Sequence, residues 1–333
     1  MRSIALRGES ANTLFRDAWE SLKSEPSLRA SRDKGASAEA LHVTFSLENP
    51  RQRWISARTP PINPAFALAE TVWILDGRND LAFLSPWNTT YSNFVGPSAA
   101  VYGAYGERLR SRFGIDQLEQ TYRALTSTPE SRQAVLSIWD PRSDLPGRDG
   151  QSRSRDIPCN ITSLLKVSDN RLYWTQVMRS NDLIRGLPYN FVQWTTIQEV
   201  FAGWLGLEVG EYFHLSDSLH IYDTDRPRFS YKRASEFIND DDLRLPFEDS
   251  RGVITNLAIA ITTLSLANNF EEIVAAEDLF TGPRAYRNWL RVMAAERARR
   301  LNLDPTTWIE GISNTMLKTV IQNWVEFYGG SNG

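Results

Sequence analysis

The residues between Asp156 and Gln193 are of types that could do chemistry together. Asp156-Ile157-Pro158-Cys159-Asn160 carries the only cysteine of the 333 residues, and it follows an arginine-rich stretch with Arg142, Arg148, Arg153 and Arg155. Guanidinium groups beside a thiol favour the thiolate, the nucleophilic form. A lone intracellular cysteine is by default a small buried hydrophobe, and the residues alone leave both readings open. Arg179-Ser180 closes the next alternating segment with a guanidinium and a hydroxyl side by side. That pair suits a monophosphate, or a strand-end ion pair. Asn190 heads a helical stretch, where its planar amide could read an amide-like base edge or cap the helix. Glu70 is the one carboxylate in the apolar run 65–75, and a buried glutamate requires a partner or a task. A wet helix edge would explain it equally well.

Other chemistries lack their parts. His42, His214 and His220 all lie far from Cys159 in sequence, so no Cys–His relay is visible. His214 and His220 are too far apart along a strand to chelate unaided, and no second thiol exists, so no metal site is expected. There is no Walker loop and no Gly-x-Gly-x-x-Gly fingerprint.

The elements that must position these groups can be read from periodicity. Leu14, Phe15, Ala18, Trp19 and Leu22 predict an amphipathic helix over 10–23, and 28–40 has the composition of a mobile loop. A strand is expected from His42. Asn63 before Pro64 caps a nearly all-apolar, buried helix that ends at Leu75. Short helical pieces fill 78–111, a surface helix 115–126, and a strand 132–140. A long flexible loop is expected over 141–156. Strands at 160–168 and 172–179 meet at a hairpin turn, a helix follows from Asn190 to Leu205, and a strand covers 211–223. Helices dominate 224–333. Without a regular βαβ rhythm or a linker, the pattern predicts one α+β domain over 1–333.

Bulk properties set limits. With 41% hydrophobic and 23% charged residues the composition is that of a soluble globular protein, and 11 tryptophans imply a well-filled interior. A net charge of −3 gives no reason to expect nucleic acid or an anionic membrane as partner. One cysteine and the absence of a long apolar run point to a reducing, cytoplasmic setting.

The ordered set Ile157-Pro158-Cys159, Arg179-Ser180-x-Asp182, Gly186-Leu187-Pro188-x-Asn190 and His220-Ile221-Tyr222 resembles the thymidylate synthase superfamily. Glu70 followed by Trp73 and Gly77, Val101-Tyr102-Gly103, and Ser131-Arg132 also match, so the likeness runs over 65–225. The resemblance implies a mixed sheet with flanking helices and a homodimer formed through the sheet face. It implies one-carbon transfer from 5,10-methylenetetrahydrofolate to C5 of a pyrimidine nucleoside monophosphate, with no metal. Cys159 would add to C6, making C5 the carbon that captures the methylene group. Glu70, Asn190 and Tyr102 would complete the catalytic set, Asn190 at the N3/O4 edge and Glu70 in proton traffic. Arg179 and Ser180 would hold the 5′-phosphate, helped by Arg132 from the partner subunit. His220 and Tyr222 would meet the ribose, and Asp182, Gly186, Tyr91 and Trp73 the folate.

The chain departs from the usual pattern in ways that bear on the product. Asn160 stands where a histidine usually follows the cysteine, Met178 where a glutamine precedes the arginine, and Gln133 where a second arginine follows Arg132. Tyr91 and Phe94 stand in the loop that usually brings a tryptophan over the folate, and the usual hydrophobic C-terminus is not recognisable. The N-terminal phosphate arginine is Arg29 or Arg32. These features resemble the nucleotide hydroxymethylase branch, in which water rather than hydride adds to the exocyclic methylene carbon. Hydroxymethylation of a dUMP-, dCMP- or CMP-type substrate is therefore favoured over methylation of dUMP to dTMP. A non-catalytic nucleotide-binding regulator is the contrasting expectation.

Overall fold

A computed structural model of the chain describes residues 4–27, 29–31 by backbone alone, 35–96, 98–232 and 237–329. Its strands are β1 (Ala5–Gly8), β2 (Arg29–Ser31), β3 (Gly35–Leu47), β4 (Arg58–Thr59), β5 (Val135–Ser137), β6 (Asn160–Ser168), β7 (Arg171–Met178), β8 (Asn181–Asp182), β9 (Glu208–Tyr222) and β10 (Ser230–Tyr231). Its helices are α1 (Ala11–Leu22), α2 (Pro64–Leu75), α3 (Leu81–Leu84), α4 (Ser92–Val95), α5 (Tyr105–Arg110), α6 (Gln117–Ser127), α7 (Leu187–Trp204), α8 (Phe247–Leu266), α9 (Phe270–Asp278), α10 (Arg284–Arg300), α11 (Thr306–Gly311) and α12 (Thr315–Gly329).

Among the described residues one mixed sheet runs β1-β3-β9-β7-β6-β5, with β2 on β3 and β8 on β9. The β9–β7 and β9–β8 pairs are parallel, whereas β3–β9 and β6–β7 are antiparallel. The α+β expectation, a mixed sheet with flanking helices, holds. The β6–β7 hairpin turns on Asp169 and Asn170, both at positive φ (49° and 59°), as a two-residue loop of matching twist requires. Asn63 caps α2 by accepting the Phe66 amide at 2.9 Å, and Pro64 fills the first turn.

Every residue of α2 except Glu70 is buried, because the helix has protein on all its other sides. It packs on α7, which covers the sheet, and on α10, around which α8, α9, α11 and α12 gather. The buried apolar side chains form one connected cluster from Ala11 to Ile321.

Two expectations need correction. Residues 28–40 are not simply a mobile loop, since β2 and the first half of β3 lie there. Their small residues fit the ladder because β9 supplies the bulk: Ser37 pairs with Tyr222 and Ala38 with Ile221. The 141–156 segment has no helix or strand, yet it is pinned. Asp144 is 2% exposed and takes both terminal nitrogens of buried Arg108, at 2.7 and 3.0 Å. A buried ion pair with this geometry fixes the path of the chain toward Cys159.

Candidate active site

A cleft of about 530 Å³ gathers Glu70, Tyr91, Cys159, Ser180, Asp182, Gly186, Asn190, His220 and Tyr222. Cys159, Ser180, Asp182, Gly186, Asn190, His220 and Tyr222 thus come together from the starts of β6, β8 and α7 and from β9, with Glu70 facing them from α2.

Cys159 precedes β6 and is partly exposed. The Arg179 amide donates to its carbonyl at 2.9 Å, and the Arg179 guanidinium grips the same loop, with Nε on Pro158 O (2.8 Å) and Nη2 on Ile157 O (2.9 Å). Nη2 lies 4.0 Å from the sulfur, and the guanidinium stacks over Trp139 at 5.6 Å. A fixed positive charge therefore sits beside the Cys159 sulfur, the sign a thiolate needs. Arg179 itself does not line the cleft, and Nη1 is its guanidinium nitrogen not engaged by the loop.

Glu70 is half-buried, and Gln193 Nε2 donates a short hydrogen bond to its Oε2. Burial pushes its carboxyl up to about 8, with Asp156 adding to the rise and Gln193 opposing it. It is largely protonated at neutral pH. Tyr91 stands against the same group: burial raises its phenol well above the usual value, and Glu70 contributes.

Asp182 accepts the Ile184 and Arg185 amides through Oδ1, at 2.8 and 2.9 Å. Its Oδ2 is buried and has no hydrogen-bond partner among the described residues. Burial raises its carboxyl despite the two amides and nearby His220. Asp182 pairs with His220 in the β8–β9 ladder, and His220 packs edge-on to Tyr222 with centroids 5.0 Å apart. At Gly186 the approach is close: a Cβ there would come 3.0 Å from Asn181 Oδ1, so that amide would have to shift. Asn190 is 7% exposed and donates from Nδ2 to Asn181 Oδ1 at 3.1 Å.

Three sequence candidates fall elsewhere. Trp73 is buried in α2 with its indole nitrogen on Asp80 O at 3.0 Å. Arg132 is exposed ahead of the edge strand β5 and does not line this chain's cleft. Tyr102 points its hydroxyl at Ser143 O, 2.7 Å away, and is not a cleft residue. Its neighbour Gly103 explains the motif: the Gly103 amide donates to Asp156 Oδ2 at 2.7 Å, and a Cβ would lie 2.9 Å from Asp156 O. This Tyr-Gly pair braces the cysteine loop. The side chain of Arg29 and all of Arg32 lie outside the described residues.

Of the two Tyr-Gly pairs, it is Tyr105 whose side chain lines the cleft. Burial raises its phenol, with Cys159 the next contributor, which sets it near the thiol. The signal was in the sequence: Ala104-Tyr105-Gly106 repeats the Tyr-Gly pair three residues on. Gly106 is required because a Cβ there would come 2.7 Å from Trp73 O as α5 crosses α2. Tyr105→Phe is expected to lower kcat about ten- to a hundredfold, whereas Tyr102→Phe should leave kcat near wild type and shift only the melting temperature. Steady-state kinetics of the two variants decides between them.

Also missed in sequence were Trp324 and Tyr328, which line the cleft from α12 and pack together with centroids 4.2 Å apart. Their spacing of four puts both on one helix face. Trp324 Nε1 donates at 2.8 Å to Glu296, whose buried carboxylate also takes Arg299 and Arg300. The C-terminal part of the chain therefore does contribute to the cleft, through aromatic side chains.

Residues 24–251 match the thymidylate synthase family. The chain belongs to that family. It is 34% identical over 226 residues to the deoxyuridylate hydroxymethyltransferase of Bacillus phage SP01, covering 65% of this chain and 58% of that protein. It is 35% identical over 183 residues to the deoxyuridylate hydroxymethyltransferase of Pseudomonas phage M6, covering 54% and 51%. A putative thymidylate synthase of Methanothermobacter thermautotrophicus is 36% identical over 134 residues, covering 40% and 55%. The chain spans little more than half the length of these relatives. Trp324 and Tyr328 lie beyond the family match. Among the described residues no helix is long and apolar enough to cross a membrane, and no cluster of three or more His, Cys, Asp or Glu side chains could hold a metal ion.

Proposed function

We propose that the protein transfers a one-carbon unit from methylenetetrahydrofolate to C5 of dUMP and leaves a hydroxymethyl group there. The observation that carries this reading is Cys159 beside the Arg179 guanidinium, in one cleft with Glu70 and Asn190. The names of the two phage relatives support deoxyuridylate as substrate and hydroxymethyl as product.

The cleft suits a folate. The orphaned Asp182 Oδ2 is a buried acceptor waiting for an N–H donor such as a pterin carries, and Tyr91, Trp324 and Tyr328 offer flat apolar faces. Methylenetetrahydrofolate supplies the carbon and, when the product leaves, keeps the nitrogen from which that carbon departed.

The chain's own groups do the rest. The Cys159 thiolate adds to C6, and the electron pair of the C5–C6 double bond moves onto C5 and O4, where C5 can form the new carbon–carbon bond. Asn190 holds the N3/O4 edge. Glu70, protonated at neutral pH, gives a proton toward O4 and takes one back as the C5 proton leaves. The electron pair freed by the C5 proton expels the folate nitrogen from the transferred carbon and leaves an exocyclic methylene; water then adds to that carbon with loss of a proton, and the returning electron pair expels Cys159 as thiolate. Arg179 through Nη1 and Ser180 bind the 5′-phosphate, with Arg132 of a second copy, and His220 and Tyr222 meet the ribose.

The test is incubation with methylenetetrahydrofolate and 5-tritiated dUMP, dCMP, UMP or CMP. Tritium release from dUMP, with tetrahydrofolate and a hydroxymethyl nucleotide as products, is expected. Dihydrofolate formed at the rate of nucleotide turnover would mean methylation to dTMP instead, and no release from any of the four nucleotides would refute one-carbon transfer.

A further inference from the structure

Behind Asn190 lies a polar chain that the reaction above does not use. Asn181 Oδ1 accepts from Asn190 Nδ2 at 3.1 Å. Asn181 Nδ2 meets Ser216 Oγ at 3.0 Å and His214 Nε2 at 3.1 Å. His214 Nε2 also lies 3.1 Å from Ser216 Oγ, and its Nδ1 is 2.9 Å from Tyr212 Oη. Asn181 is 2% exposed, His214 1%, and Ser216 and Tyr212 not at all. Phe45 and Phe191 close around the imidazole, with centroids 5.8 and 6.0 Å away. Burial pushes His214 down to about 3, so the ring is neutral. One of its nitrogens is then a donor and the other an acceptor.

An amide ordinarily can turn over and exchange its oxygen and nitrogen. With His214 protonated on Nδ1, the nitrogen of Asn181 meets His214 and Ser216 and its oxygen faces Asn190. Turning the Asn190 amide alone would bring two oxygens to 3.1 Å with no proton between them, in a place too dry for water to repair. In that His214 tautomer the oxygen and the second N–H of Asn190 therefore keep fixed places in the cleft. Uracil offers a donor at N3 and an acceptor at position 4, whereas cytosine offers the reverse. An amide that cannot turn serves only one of these edges.

We propose that Asn181, backed by His214 and Ser216, is the positioning residue that holds the Asn190 amide in one orientation and so makes the cleft select uracil over cytosine. This rests on the uracil nucleotide reading above, and binding can be measured apart from turnover. The unmatched edge is expected to cost about ten- to a hundredfold in affinity.

The experiment is calorimetric titration of wild type, Asn181→Asp, Asn181→Leu and Asn181→Ser with dUMP and dCMP. Wild type should bind dUMP at least about tenfold more tightly than dCMP. Asn181→Asp keeps an acceptor toward Asn190, with His214 changing tautomer, and should retain the preference. Asn181→Leu removes the acceptor, and Asn181→Ser offers a hydroxyl that donates or accepts, so both should bring the two affinities within about threefold. The serine variant serves if the leucine variant does not fold. Equal binding of the two nucleotides by wild type, binding of neither, or an unchanged preference in the leucine or serine variant overturns the proposal. So does a loss of preference in Asn181→Asp as large as in Asn181→Leu. A wild type that prefers dUMP but releases no tritium refutes the enzymatic reading and leaves this one standing.

Discussion

Cys159→Ser is expected to stop tritium release from C5 of dUMP, by on the order of 10⁴-fold or more, while dUMP still binds within about threefold of wild type. The size follows from what surrounds position 159. Arg179 offers positive charge, which helps an anionic sulfur but cannot take a proton from a hydroxyl. Glu70, the carboxyl across the cleft, is itself protonated near neutral pH. Neither group would activate a serine. Binding should survive because the groups proposed to hold phosphate, ribose and base are carried by other residues. Scintillation counting and calorimetry on the same preparation separate the two effects. A nucleotide-binding regulator would behave differently, because its biological activity would be indifferent to the substitution.

Glu70→Gln should be the next most damaging change, lowering kcat by about 10²- to 10⁴-fold, the usual contribution of a positioned general acid–base group. The pH dependence identifies the cause. With its carboxyl pushed up to about 8, Glu70 is in the proton-donating form below that pH, so wild-type kcat should fall as pH rises through it. The glutamine variant should lose that limb. Stability follows the same group. Its folded pKa lies above its ordinary 4.5, so its contribution is fully present below 4.5 and is lost as pH rises through about 8. Glutamine stays neutral throughout, so the melting temperature of Glu70→Gln relative to wild type should climb over that window. A kcat limb near 8 that survives in the variant would assign it to another group.

The legible parts of the sequence were those whose reason is local. Asn63-Pro64 and an unbroken apolar run give α2, and Asp169-Asn170 give the hairpin turn, because capping and positive φ act through neighbouring atoms. Cys159, Asp182, Asn190 and His220 could be read together because their types and order resemble a family. What failed depends on contacts between distant segments. Two Tyr-Gly pairs stand three residues apart, and nothing local says that Tyr102 reaches Ser143 while Tyr105 enters the cleft. That outcome depends on α5 crossing α2 at Gly106. Ala36, Ser37 and Ala38 look like loop residues until Ile221 and Tyr222 of β9 are set opposite Ala38 and Ser37. Trp324 and Tyr328 read as part of an ordinary helix face, and only the buried Glu296 carboxylate turns that face toward the cleft. Asn181 and His214 lie 33 residues apart, and their partnership follows from β8 pairing with β9.

One-carbon transfer by this route requires a bond between Cys159 and C6 of the uracil ring. A substrate bearing fluorine at C5 tests this directly, because the ring then has no C5 proton to lose and the adduct should persist. The protein would be incubated with 5-fluoro-dUMP and methylenetetrahydrofolate, and its intact mass and digested peptides measured. A mass increase equal to nucleotide plus folate is expected, carried on the peptide that contains Cys159 and absent from Cys159→Ser. An unmodified Cys159 in protein that turns over dUMP, or an adduct on any other residue, would contradict it.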